Sequence, residues 1–178
     1  MIDFKLRPAA PGDVREIAAL VAELAEFEHL SHLLQLTPET LAPHLFGPRP
    51  VVEAVVAEAC GPQGAPGIVA YALFFTNFST FLAKPGLYLE DLYVQPAARG
   101  AGIGKALLAH LAGLAVARDY GRFEWCVLDW NQAAIGFYEK MGATLMPEWR
   151  ICRVAGPALS AFAEFAAFAG PAQPAGPA

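Results

Sequence analysis

Apolar and polar side chains alternate at the start of the chain, with Ile2, Phe4 and Leu6 set against Asp3, Lys5 and Arg7. A period of two predicts a half-buried strand, and Pro8 ends it. The period then lengthens. Ile17, Leu20, Val21, Leu24 and Phe27 recur at helical spacing, with Asp13 placed to cap the helix they predict. Thr37-Pro38-Glu39 opens a second helix with a capping hydroxyl, a first-turn proline and an acid at the positive end of the dipole. It runs to about Phe46, where Gly47-Pro48 stops it. Residues 51–59 and 68–76 read as strands joined through the Gly/Pro-rich stretch 61–67, which predicts an antiparallel hairpin. Residues 77–85 read as a loop carrying Phe78 and Phe81, and 86–94 as a further strand ended by Pro96.

The most regular helix is predicted over 102–120, with Ile103, Leu107, Leu108, Leu111 and Leu114 as its apolar stripe and Gly121 as its stop. A strand over 122–128, a shorter helix over 131–141 closed by Gly142, and a last strand over 149–154 follow. Hairpins first and strand–helix alternation later predict one α/β (α+β) layered domain over residues 1–155. Residues 156–178 are Ala/Pro-rich, with a short helix over 158–168 and a disordered tail expected beyond it.

Composition narrows the function classes. The chain has 178 residues, 56% of them hydrophobic and 16% charged, and much of the apolar excess is alanine. No apolar run approaches the ~20 residues of a spanning helix, and no signal peptide pattern opens the chain, so the expectation is a cytoplasmic protein off the membrane. A net charge of −5 disfavours nucleic acid as a partner and suits a cationic one. Cys60, Cys126 and Cys152 match no zinc or redox spacing, so no metal is expected and the thiols read as buried or idle.

The candidate chemistry begins at Arg99-Gly100-Ala101-Gly102-Ile103-Gly104, between a predicted strand and the long helix. Its glycines leave backbone N–H groups uncovered, the helix dipole points its positive end there, and Arg99 and Lys105 add charge. Together they make an anion site suited to a pyrophosphate. A Walker loop would need a glycine where Arg99 stands, and a dinucleotide loop wants a different glycine spacing after the first strand.

The stretch from Leu92 through Arg99 to Gly104 resembles the acetyl-CoA loop of the GNAT superfamily of N-acetyltransferases. Trp130-Asn131 and Gly136-Phe137-Tyr138-Glu139-Lys140-Met141-Gly142-Ala143 resemble later segments of that family, with Gly136 departing from the usual residue before Phe-Tyr. The block Leu87-Tyr88-Leu89-Glu90-Asp91 is similar to that of diamine (spermidine/spermine) and thialysine acetyltransferases. So are Leu6-Arg7-Pro8-Ala9, the segment Glu23 to Glu28, and Glu148-Trp149-Arg150. The resemblance implies a mixed, mostly antiparallel sheet that splays between two strands to take pantetheine. It also implies acetyl-CoA as cofactor, a small-molecule amine as substrate, and a homodimer.

On that basis Glu90 is the candidate base, acting directly or through water, because a carboxylate partly removed from water holds a proton more tightly. Asp91 follows it on the opposite face of the strand. Tyr138 is the candidate acid, since a phenol of pKa ~10 can protonate a departing thiolate. Leu92, Tyr93 and Val94 would meet the carbonyl and pantetheine with backbone groups, a bulge there leaving an N–H free. Arg99, Gly100, Ala101, Gly102, Ile103, Gly104 and Lys105 would hold the diphosphate, with Asn131 and Ala134 also at the cofactor. Phe27, Glu28, Glu90, Asp91, Glu124, Cys126 and Glu148 are the positions implied for the substrate amine. The stretch 76–82 lacks the acid of animal polyamine enzymes, which favours a small amine over spermidine. Two other readings remain open: an acceptor that is a protein amine or an aminoglycoside, and a non-catalytic acetyl-CoA sensor.

Overall fold

The computed structural model describes residues 2–60 and 66–168. Two compact units follow one another along the chain, one ending at Ile135 and one beginning at Gly136. In the first, strands β1 (Phe4–Pro8), β2 (Glu53–Cys60), β3 (Pro66–Ser79), β4 (Lys84–Val94) and β5 (Phe123–Trp125) form one sheet in the order β1-β2-β3-β4-β5. The first four pair antiparallel, and β5 lies parallel to β4. With helices beside it, this mixed sheet makes the α/β (α+β) layering that the alternation of periods predicted.

Helix α1 (Val14–Phe27) and helix α2 (Pro38–Phe46) give one face of the sheet its core. Val14, Ile17, Leu20 and Val21 of α1 and Leu41 and Leu45 of α2 pack with Val56, Tyr71, Leu73 and Tyr93. Alternation turns Val55, Ala57, Ala70 and Ala72 to the other face. Those small buried residues accommodate α3 (Ile103–Ala117), which buries Ile103, Leu107, Leu108 and Leu111 against the sheet. Thr37 caps α2 as its sequence predicts, its Oγ1 accepting from Thr40 N at 3.3 Å. Asp13 stands before α1 but turns elsewhere. Its carboxylate accepts from Ala10 N at 2.6 Å and pairs with Arg7, whose guanidinium also reaches Glu58 Oε1 at 2.6 Å.

Several expected boundaries move. The predicted loop over 77–85 is mostly ladder: Asn77 faces Gly86 and Phe78 faces Pro85, leaving only a tight turn between Ser79 and Lys84. Pro85 falls at the start of its strand, where a missing N–H is tolerated. The 122–128 strand shrinks to β5. Helix α3 ends at Ala117 with Asp119 at φ 54°, ahead of Gly121. All three cysteines are free, as the odd count predicted, and exposed, so of the two readings, buried or idle, the buried one does not hold.

Helix α4 (Gln132–Lys140) continues from the first unit into the second, which also holds α5 (Pro157–Phe168). Residues 149–154 form no strand. Their alternation is real, but a strand needs a partner backbone and the described residues supply none; Trp149 and Ile151 are exposed at 67% and 68%. Residues 61–65 of the predicted hairpin turn, and the tail beyond 168, lie outside the described residues. Among the described residues no helix is long and apolar enough to cross a membrane, and no cluster could hold a metal ion.

Candidate active site

The site is organised by what β4 does after Leu89. Up to that point it pairs with β5: Leu87 with Phe123, Tyr88 with Glu124, Leu89 with Trp125. Beyond it β5 offers no further partner, so among the described residues no strand pairs with the backbone of residues 90–94 on that side. On the other side, Leu73 pairs with Asp91 and Phe74 with Leu89. Glu90 is therefore one residue too many for the ladder, a β-bulge. The bulge falls at Glu90 itself, ahead of the Leu92–Val94 stretch.

The extra residue decides which carboxylate is drawn back from water: Asp91 is half-buried. Glu90 is exposed, so the withdrawal from water expected of it does not occur there. Asp91 takes that environment. Its carboxyl is pushed up to about 6, first by burial and then by the charges of Glu90 and Glu28, against the opposing hydrogen bond from Tyr71. Tyr71 Oη donates to Asp91 Oδ2 at 3.4 Å. Burial and the neighbouring Asp91 charge push the Tyr71 phenol up, so it stays a proton donor. Glu28 closes α1, and burial pushes its carboxyl up as well. The next residue, His29, adopts φ 61° and turns the chain out of the helix. Glu90 and Glu28 thus lie close enough for their charges to act on Asp91 at the bulge, and one phenol donates to Asp91.

Glu124 differs. Its Oε2 lies 2.5 Å from Arg122 Nε and accepts from Asn77 Nδ2 at 2.9 Å, so its charge is already answered within the sheet. Cys126, just past β5, has its Sγ 3.0 Å from Tyr88 Oη. Tyr71 was not singled out from sequence. The available signal was a lone phenol inside a run of small apolar strand residues, Ala70-Tyr71-Ala72.

The glycine loop continues from β4. Gly100 and Gly102 take φ 78° and 86°, left-handed values that favour glycine, and Gly102 is the residue from which α3 starts. The turn is closed by Ala98 N to Gln95 O at 2.9 Å, and Ala106 N to Gly102 O at 3.0 Å begins the helix. The amides ahead of that bond, from Gly100 to Lys105, are left for an anion in front of the helix. This cradle fits the diphosphate of coenzyme A, and the unpaired β4 edge at Leu92, Tyr93 and Val94 fits an extended chain beside it. Arg99 turns away from the cradle, its Nε donating to Val94 O at 3.0 Å. Asn131 caps α4, its Oδ1 accepting from Ala134 N at 3.2 Å. Phe27 packs its ring 5.9 Å from that of Trp130.

In the second unit, Tyr138 lies on α4, and its carbonyl accepts from Met141 N and Ala143 N at 3.0 Å each. Glu148 is exposed in the irregular stretch before α5.

The sequence pattern of the acetyltransferase (GNAT) family matches residues 22–143. The chain belongs to the GNAT family of N-acetyltransferases. The GNAT match spans everything described above from the end of α1 to the close of α4. L-ornithine N5-acetyltransferase NATA1 of Arabidopsis thaliana is 36% identical, covering 88% of this chain and 86% of its own. The thialysine N-epsilon-acetyltransferase of Mus musculus is 35% identical, covering 92% and 99%. Among solved structures, an integron cassette protein from V. cholerae superposes with a TM-score of 0.73 at 24% identity, covering 90% of this chain and 98% of that one. It shares the fold. The protein is thus an enzyme of the N-acetyltransferase class.

Proposed function

We propose that this enzyme transfers an acetyl group from acetyl-coenzyme A to the amine of a small cationic molecule, a diamine or a basic amino acid. The observation that carries the reading is the cluster of Glu28, Glu90 and Asp91 at the bulge where β4 leaves β5. Three carboxylates beside an open strand edge attract a cation, and the named relatives act on ornithine and thialysine.

Each residue then has a task. Amides from Gly100 to Lys105 hold the diphosphate, and the β4 edge at Leu92, Tyr93 and Val94 aligns the arm that follows it. Acetyl-coenzyme A supplies the acetyl group as a thioester whose sulfur leaves with the electrons of the broken bond. Asp91 and Glu28 draw in the ammonium and orient it. Glu90, in contact with water, takes the proton that the ammonium must lose before its nitrogen can attack, directly or through a water. A backbone N–H of the β4 edge faces the carbonyl oxygen as charge gathers on it. Tyr138 returns a proton to the leaving sulfur.

The test is a panel of amines (putrescine, spermidine, thialysine, ornithine and lysine) incubated with acetyl-coenzyme A and followed by thiol release. Turnover of at least one is expected, and none would defeat the reading. Tyr138→Phe is expected to lower kcat by about a hundredfold or more. A kcat equal to the parent's would remove Tyr138 from the proton path.

A further inference from the structure

We propose that the pocket between the last turn of α1 and the end of β4 is a second cation subsite, held by the chain's own Arg99 until the cofactor's diphosphate draws that side chain away. It deepens the reading above and rests on it. Glu23, Glu26, Phe27, Tyr93, Pro96 and Arg99 line a pocket of about 310 Å³. The guanidinium of Arg99 sits 5.2 Å from the centroid of the Phe27 ring and 5.7 Å from that of Tyr93. Both distances are those of a cation held by aromatic faces.

The acid in this seat is oriented. Glu23 accepts from Tyr93 Oη at 3.1 Å and from Gln95 Nε2 at 2.9 Å, which fixes its carboxylate at the pocket wall. Glu26 adds a second, exposed carboxylate one turn along α1. Two ring faces and two acids make a place that takes a cation, and Arg99 shows that a cation fits there. Arg99 is also the first residue of the glycine loop. A guanidinium beside a phosphate makes charge-assisted, often bidentate hydrogen bonds. Such bonds compete well with cation–π contacts. The exchange needs only side-chain rotation.

The ligand that fits the vacated seat is the far amine of the substrate. Tyr93 lies two residues beyond Asp91 on the same face of β4, about 7 Å along the strand. Ordinary bond lengths let an alkyl chain of roughly four to five carbons span such a gap. A diammonium compound can therefore place one nitrogen at Asp91 and Glu28 and the other between Phe27 and Tyr93. Coenzyme A and diamine would then strengthen each other's binding by one common factor.

Calorimetry on the full chain tests this with 1,4-diaminobutane and 1-aminobutane, each alone and with saturating coenzyme A, so that nothing turns over. Coenzyme A is expected to tighten the diamine about tenfold, within the usual range of coupling, and to leave the monoamine unchanged. Glu26→Gln, an isosteric change on a helix surface, is expected to remove most of that gain while sparing the monoamine. Arg99→Ala is expected to bind the diamine equally with and without coenzyme A. The subsite is overturned if coenzyme A binds yet leaves diamine affinity unchanged, or if Glu26→Gln weakens both amines alike. Failure of coenzyme A to bind would overturn the acetyl-transfer reading together with the subsite. Monoamine acetylation without coupling would overturn the subsite alone.

Discussion

At the scale of single residues, one inserted position sorts two adjacent acids into different environments. Glu90 and Asp91 are chemically near-equal in sequence, and the alternation of a strand says only that they face apart. Which of them is withdrawn from water depends on the bulge, and a bulge leaves no mark in a single sequence. Asp91, pushed up to about 6, is the group whose titration should be visible. In the proposed role it can hold an ammonium only when ionised, so kcat/KM for the amine should fall as pH drops through about 6, and Asp91→Asn should lose that limb of the profile. Folding responds with the opposite sign. The folded state binds the Asp91 proton more tightly than the unfolded chain does. Its burden on stability is therefore full above about 6 and fades as pH falls toward the ordinary carboxylate value. Asp91→Asn should accordingly raise the melting temperature at pH 8 even as it weakens the amine. A lower melting temperature at that pH would mean that the carboxylate serves the fold.

Elements were legible where period and punctuation agreed. The stripe of α1, the Thr37 cap of α2 and the glycine loop before α3 all stand where the residues themselves place them. The hairpin of β3 and β4 was misjudged because Asn77 and Pro85 look like breakers, yet both pair in its ladder. Residues 149–154 failed in the other direction: alternation was present and a partner was not. Close approach, too, is invisible from sequence. Gly86 sits opposite Asn77, and a Cβ there would come within 2.5 Å of Asn77 Oδ1 and 2.8 Å of Arg122 Cγ. Those two side chains hold Glu124 and so tie β3 to β5 across β4. Gly86→Ala is therefore expected to cost about 1–3 kcal/mol, as overpacking does. Denaturant unfolding would measure it, and an unchanged midpoint would show that Asn77 and Arg122 move aside freely.

Over the whole molecule, what joins the sheet edge to the first helix is electrostatic. Arg7 on β1 binds Asp13, just before α1, through both oxygens, at 2.5 Å and 2.9 Å, and Glu58 on β2 at 2.6 Å. The Arg7 guanidinium holds the Asp13 carboxyl below its ordinary value. The stability this contributes is present above the ordinary carboxylate range and is lost as pH falls through the lowered value. Arg7→Ala should lower stability by about 1.5–3 kcal/mol at neutral pH, the range for hydrogen bonds to charged groups, and by progressively less below pH ~4. Urea unfolding at several pH values checks it, and a deficit independent of pH would assign the loss to packing. The broad architecture and the cradle were readable because glycines and periodicity are local. The opening beside β4 was implied only by the family resemblance and not by any local pattern, because it arises from two strands parting company after Leu89. That parting has a cost for anyone who would toughen this protein. Extending the pairing of those neighbours past Leu89 would satisfy more amides and resist heat better, while sealing the slot proposed to admit a long thin arm. Robustness and usefulness are traded against each other along a few ångströms of backbone.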